Sequence, residues 1–291
     1  MKIRHRIKNI YYKFNRIITD LFFSYDKNQF KDALLKLSVR KGDTIFLHSS
    51  FSFFNGFRGN PQDIINCLIE IIGEEGNLLM VSMSYTSSAY DYLKRNPIFD
   101  VRRTPSKMGI ISEIFRRKKG VLRSASATHP VLVFGKDAEW FVKDHERCLI
   151  PCGKDTPFEK FRIKNGKILH FNVPFHNGFT FIHYLEDLIK DELSFPLYDK
   201  EPIPVRILDH TGKEIEIKIC VFSERTVRTR RVKVLGDYFN KHKILKYRRI
   251  GKTKLMLVSA EDAVYYCKKM VDDKRLFFAN GGKKVSFNKT T

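Results

Sequence analysis

Short apolar runs alternate with stretches of helical period along most of this 291-residue chain. That alternation constrains the fold more than any other feature. "DTIFLHSS" (43–50), "NLLMVSMSY" (77–85), "HPVLVFG" (129–135) and "GKILHFNV" (166–173) read as buried strands. Between them "NPQDIINCLIEIIG" (60–73) reads as a helix with Asn60 as cap, Pro61 at its first position and Gly73 as its stop. "SKMGIISEIFRRKKG" (106–120), with Ser106 as cap, "KDAEWFVKDH" (136–145) and "AEDAVYYCKKMVDD" (260–273) read the same way. Strands alternating with helices predict an α/β layered domain: a mixed, largely parallel central sheet flanked by helices. "PVRILDHTGKEIEIKICVF" (204–222) alternates around a "DHTGKE" turn and predicts a β-hairpin region in the C-terminal third. With no repeat or low-complexity linker, residues 29–279 are expected to form a single domain. A basic amphipathic helix (1–28) precedes it and a polar tail (280–291) follows it.

In the N-terminal segment Ile3, Ile7, Ile10, Phe14, Ile17 and Leu21 form one helical stripe, flanked by Lys2, Arg4, Arg6, Lys8, Lys13 and Arg16. Such a helix suits an anionic membrane surface, the chain's own domain or a second subunit. It lacks the continuous apolar block of a secretory signal, and no run approaches the ~20 residues that span a bilayer. Five irregularly spaced cysteines predict neither a disulfide framework nor a metal cluster, and point to a reducing cytoplasm. The net charge of +22 attracts anions: nucleic acid, an acidic membrane or a phosphorylated small ligand. Residues 225–254 carry twelve Lys and Arg against one acid, Asp237. They read as a phosphate-binding or membrane-facing wall, or as a solvated face. Aromatic residues are too sparse there for a single-strand platform, and no specific nucleic-acid partner is expected.

"HNGFTFIHYLED" (176–187) reads as a helix that sets His183 and Glu186 nearly one turn apart, on one face. A carboxylate behind an imidazole orients the ring for proton transfer. An isolated pair of this kind is more often a satisfied core histidine. The chain has no P-loop, no GxGxxG and no zinc pattern, and no metal is expected.

Taken in order, several segments resemble the aminoglycoside 3-N-acetyltransferase family of acetyl-CoA-dependent enzymes, from about residue 30 to 278. These are the strand ending in "HSS", the "TPSKMG" helix start, "RSASATH", Pro151-Cys152-Gly153 with Pro157 and Lys160, "TFIHYLE" and "GKTKLMLVSAEDAV". The resemblance supports His183 as general base, with Glu186 orienting it, and acetyl-CoA as co-substrate. His129, at a strand start, is a second catalytic candidate. The turn His48, Ser49, Ser50, Phe51 and the helix start Thr104, Ser106, Met108, Gly109, with Arg123 and Ser124, are candidates to hold CoA. Tyr85, Asn177 and Thr180 are candidate acceptor contacts. Cys152 is the rival, covalent nucleophile. The sequence departs from the family where the acceptor is expected: a single histidine in "SATH", Phe179 and Thr180 for Asn-Thr, and "NVPFH" for a glycine-rich turn.

A strongly cationic protein repels polycations. The charge therefore predicts an anionic acceptor, an amino sugar on a nucleotide or on a lipid- or glycan-linked precursor of surface polysaccharide, handled near the membrane. Modification of an aminoglycoside antibiotic is the alternative.

Overall fold

The computed structural model describes residues 14–52 and 55–279. The N-terminal half of the expected basic helix and the polar tail lie outside the described residues. Helices α1 (14–22) and α2 (Lys27–Lys36) lead into β1 (Thr44–Ser49), α3 (Pro61–Ile72) and β2 (Asn77–Val81). Then come α4 (Ala89–Leu93), β3 (Ile98–Asp100), α5 (Ile110–Arg116), β4 (Leu122–Arg123), β5 (Val131–Gly135), α6 (Ala138–Val142) and α7 (Pro157–Ile163). The chain continues through β6 (Lys167–Phe171), α8 (Phe175–Gly178), α9 (Ile182–Leu188), β7 (Ile203–Leu208) and β8 (Glu214–Ile219). It closes with α10 (Glu224–Thr229), α11 (Val232–Lys241), β9 (Lys246–Ile250), β10 (Thr253–Ser259) and α12 (Ala260–Asp272).

Seven strands form one mixed sheet in the order β4-β5-β2-β1-β6-β10-β9. Its centre, β2-β1-β6, is parallel, and the pairs on either side are antiparallel. Alternate residues of β1 serve opposite faces. Phe46 joins the core under α7, α9, α11 and α12, while Ile45 and Leu47 join the core under α2, α3 and α5. Both faces are covered, so β1 and β2 are apolar almost without break. The "DHTGKE" turn closes β7 and β8, which β3 extends in parallel to a second, three-stranded sheet.

Two predicted helices begin or run differently. The "SKMG" segment is not yet helical: α5 starts at Ile110 after Gly109, whose φ of 100° suits glycine. Ser106 does not cap; its hydroxyl meets Ser112 Oγ at 2.9 Å, and its backbone N–H donates to Glu113 Oε2. "HNGFTFIHYLED" is two helices, α8 and α9, with a break at Phe179–Phe181. Both Phe179 and Phe181 are buried in one core. Side chains two apart in a continuous helix point some 200° away from each other, so the break is what lets both rings enter.

Candidate active site

The loops after β1, β2 and β6 leave one end of the parallel strands, the usual place for a ligand in an open α/β sheet. There a cavity of about 810 Å³ opens beside the small sheet. Its wall includes Tyr85, Met108, His129, His183, Phe222 and Arg230, and its rim carries Asp91, Asp199, Glu224 and Arg228.

His183 stands in the first turn of α9. Its Nδ1 lies 3.0 Å from Glu186 Oε2, so the expected pair forms, leaving Nε2 as the ring atom for the cavity. Phe222 lies against the ring at 4.8 Å and His129 meets it edge-on at 5.1 Å. Glu186 is wholly buried, and a second partner accounts for that. Arg230, at the end of α10, grips the carboxylate with two nitrogens, Nη2 at 2.8 Å from Oε2 and Nε against Oε1. The same guanidinium lies over the Phe222 ring at 4.8 Å. In sequence Arg230 is indistinguishable from the rest of the basic 225–254 block. The structure divides that block. Arg230 is internal, Arg228 pairs with Glu224 and Lys233 with Asp237, and β9 stays exposed at Lys246, Arg248 and Arg249.

The charges follow from this packing. Burial would raise the Glu186 carboxyl, but Arg230 and His183 outweigh it and hold the group below its usual range, ionised. Burial, and then Arg230, push the His183 imidazole below its ordinary value while Glu186 pulls it back, leaving a neutral ring at pH 7. His129 is pushed well below its ordinary value by burial and by His183, His145 and Arg230. Its Nδ1 sits 3.1 Å from Thr128 Oγ1, and Tyr85 donates to the Thr128 carbonyl at 2.9 Å. A neutral imidazole on a fixed carboxylate can accept a proton from an amine.

The remaining expected residues scatter. Ser49, Ser50 and Phe51 leave β1 at the same end of the sheet, with the Ser50 N–H donating to the Phe171 carbonyl, but they do not line this cavity. His48 is buried against Phe46 and His170. Of the helix-start group, Met108 reaches the cavity and Gly109 borders open space. Thr104 and Ser106 are tied into their own loop, Thr104 Oγ1 accepting from the Asp100 N–H. Arg123, expected at a phosphate, is buried. It donates to the carbonyls of Thr104 and Ser82 and lies over Phe99. Burial pushes it down to about 9. Ser124 is buried too, 2.8 Å from His145 Nδ1. Asn177 lies exposed on α8, and Thr180 sits in the break before α9; neither lines the cavity. Cys152 is fully buried. Burial, Glu186 and Asp187 push its thiol well up, which suits a packed side chain and not a thiolate nucleophile. All five cysteines are free, and among the described residues no three His, Cys, Asp or Glu side chains gather as a metal site.

A carboxylate-backed imidazole beside a cavity at the strand ends of a mixed α/β sheet is an arrangement able to carry acid–base chemistry. The family model described as aminoglycoside 3-N-acetyltransferase matches residues 46–272, and the chain belongs to that family. Its activity is that of a CoA-dependent N-acyltransferase, with acetyl-CoA as co-substrate. One similar relative is the SPbeta prophage-derived aminoglycoside N(3')-acetyltransferase-like protein YokD of Bacillus subtilis (strain 168). It is 23% identical over 87% of this chain and 95% of its own length. Aminoglycoside N(3)-acetyltransferase III of Pseudomonas aeruginosa is 25% identical over 60% of this chain and 68% of its own. Among solved structures, AAC-IIIb in a binary complex with CoASH aligns with a TM-score of 0.71 and 21% identity, covering 86% of this chain and 97% of that one. AAC-VIa bound to sisomicin aligns at 0.70 and 22%, over 87% and 99%. The expected nucleotide- or glycan-linked acceptor finds no support in these likenesses, which favour the antibiotic alternative. The charge argument behind that expectation summed over the whole surface. The cavity's own lining is mixed, with Asp91, Asp199 and Glu224 beside Arg228 and Arg230.

Proposed function

We propose that the chain acetylates an amine of a polycationic amino sugar of the aminoglycoside type. The carrying observation is the chain of contacts Arg230–Glu186–His183 ending at a cavity rimmed by Asp91, Asp199 and Glu224. Asp91 and Asp199, with Glu224 where an ammonium displaces its Arg228 partner, attract the ammonium groups of the acceptor and orient one amine toward His183 Nε2. The cavity volume falls within the ~300–1,000 Å³ usual for small-ligand pockets.

In the proposed reaction His183 Nε2 takes a proton from the acceptor nitrogen as that nitrogen bonds to the thioester carbonyl carbon. The carbonyl electron pair moves to oxygen. As the tetrahedral species collapses, the C–S bond breaks and the sulfur leaves as thiolate, receiving the proton held on His183. Glu186 keeps the ring in one orientation and stabilises it while charged; Arg230 keeps Glu186 ionised and in place. His129, with Nδ1 accepting from Thr128, would carry its hydrogen on Nε2 and offer it to the developing oxyanion. We assign acyl-donor binding to the turn Ser49–Phe51 and the segment leading to Gly109, at the same end of the sheet. Use of acetyl-CoA fits a cytoplasmic setting.

The test is thiol release from acetyl-CoA with two acceptor sets, aminoglycosides and nucleotide-linked amino sugars, with product masses read out. Acetylated aminoglycoside is expected. Asp199→Asn with Glu224→Gln should raise KM for it several-fold and leave KM for acetyl-CoA unchanged. Acetylation of the nucleotide-linked sugars alone would overturn the reading.

A further inference from the structure

We propose that the outward face of α1 docks on an anionic lipid bilayer. The helix is mounted the opposite way to an ordinary surface helix. Its polar Thr19 is 1% exposed and faces the domain, whereas Phe14 is 63% exposed, Ile17 56%, Leu21 69% and Phe22 74%. Phe14, Ile17 and Leu21 lie at spacings of three and four and share one face. Docking of α1 on its own domain, one reading of the sequence, has been achieved through its polar side, and the apolar stripe is left over.

The mounting is firm. Lys252 Nζ donates to Thr19 Oγ1 at 2.6 Å, Arg58 Nη2 to the Asp20 carbonyl at 3.4 Å, and Lys252 lies over the Phe23 ring. The carbonyl of Phe23 passes so close to Gly56 and Gly251 that a Cβ at either would sit 2.0 or 2.1 Å from its oxygen. A turn of α1 that buried the stripe would break these contacts together.

Charge decides what covers the face. Arg16, on α1 and 3.8 Å from the helix's one acid, Asp20, and Arg58 beside the helix are exposed cations, and exposed Lys246, Arg248 and Arg249 of β9 lead into the Gly251–Lys252 turn on which α1 rests. In sequence, residues 1–13 add five Lys and Arg without an acid and continue the apolar spacing at Ile3, Ile7 and Ile10. A second copy would bring like charge against like. An anionic bilayer takes the apolar stripe between its headgroups and neutralises the cations, each worth about fivefold in binding near such a surface. No described helix is long and apolar enough to cross a membrane, consistent with a helix lying in the interface.

The experiment is flotation of the full chain with phosphatidylcholine vesicles, with and without phosphatidylglycerol, at low and high salt. Binding to the phosphatidylglycerol vesicles, weakened by salt, is expected. The triple variant Phe14→Ser, Ile17→Ser, Leu21→Ser should lose more than about tenfold of it. Arg16→Glu with Arg249→Glu should lose the preference for the anionic lipid while keeping the melting temperature. Absence of binding, equal binding to both vesicles, or undiminished binding by the triple variant overturns the proposal. So does light scattering that shows a lipid-indifferent dimer dissociated by the triple variant, which would give the face to a second copy.

Discussion

Two pairs of histidines lie in this molecule with the same separation and opposite prospects. His183 and His129 stand 5.1 Å apart between ring centres, and so do His48 and His170. The second pair sits in register on adjacent parallel strands, stacked among Phe46, Phe175 and Phe179. Burial pushes both of its rings down, His170 to about 4, and each Nε2 lacks a hydrogen-bond partner. The first pair has what the second lacks: a carboxylate 3.0 Å behind one ring, a cation holding that carboxylate, and a cavity in front. Two nearby imidazoles are therefore not enough for a base. The third and fourth groups fix orientation and charge.

The most severe way to break the contrast is His183→Ala. It should cut acetyl transfer ~10²–10⁴-fold, measured by thiol release, with the melting temperature near that of the parent. An unchanged rate would remove His183 from the mechanism. Next, Glu186→Ala strands Arg230 in the interior and should cost about 3–5 kcal/mol in chemical denaturation, as for other broken buried pairs. Arg230→Met sharpens the comparison through pH. In the parent the acidic limb of kcat/KM should lie below 6.5, because burial and Arg230 favour the neutral imidazole. Without the cation, the pull of Glu186 is unopposed, the imidazole holds its proton to higher pH, and the limb moves upward. A limb that stays or moves down would deny Arg230 its positioning role. The smallest effect belongs to the other pair. His170→Phe keeps the stack, removes an unpartnered Nε2 and the weak 3.4 Å contact of Nδ1 with the Val173 carbonyl, and puts a larger ring in a packed core, so stability should fall by about 1–3 kcal/mol while turnover holds. A large loss of turnover there would erase the distinction.

Much of this was legible in the sequence. Asn60, Pro61 and Gly73 bound α3 as local chemistry predicts, and the "DHTGKE" turn places β7 against β8. The pairing of His183 with Glu186 is also local, three residues on a helix. What escaped was non-local. Arg230 reaches Glu186 across 44 positions, and nothing near it separates one internal arginine from its exposed neighbours in "RTRR". Arg123 misled for the same reason, since its acceptors are carbonyls on other segments. The break between α8 and α9 depends on two phenylalanines sharing one core, which periodicity alone does not reveal.

Arg230 is itself held from further down the chain. The Arg231 N–H donates to the Phe277 carbonyl at 2.7 Å, the Ala279 N–H to the Thr229 carbonyl at 2.7 Å, and Arg230 bridges to Phe278. A nascent chain thus carries its imidazole and carboxylate through about a third of its synthesis before the segment that seats their counterion has emerged. Synthesis order makes assembly of the proton relay a late event, and a protein clipped ahead of Phe277 would keep its central sheet yet lose the latch on its base.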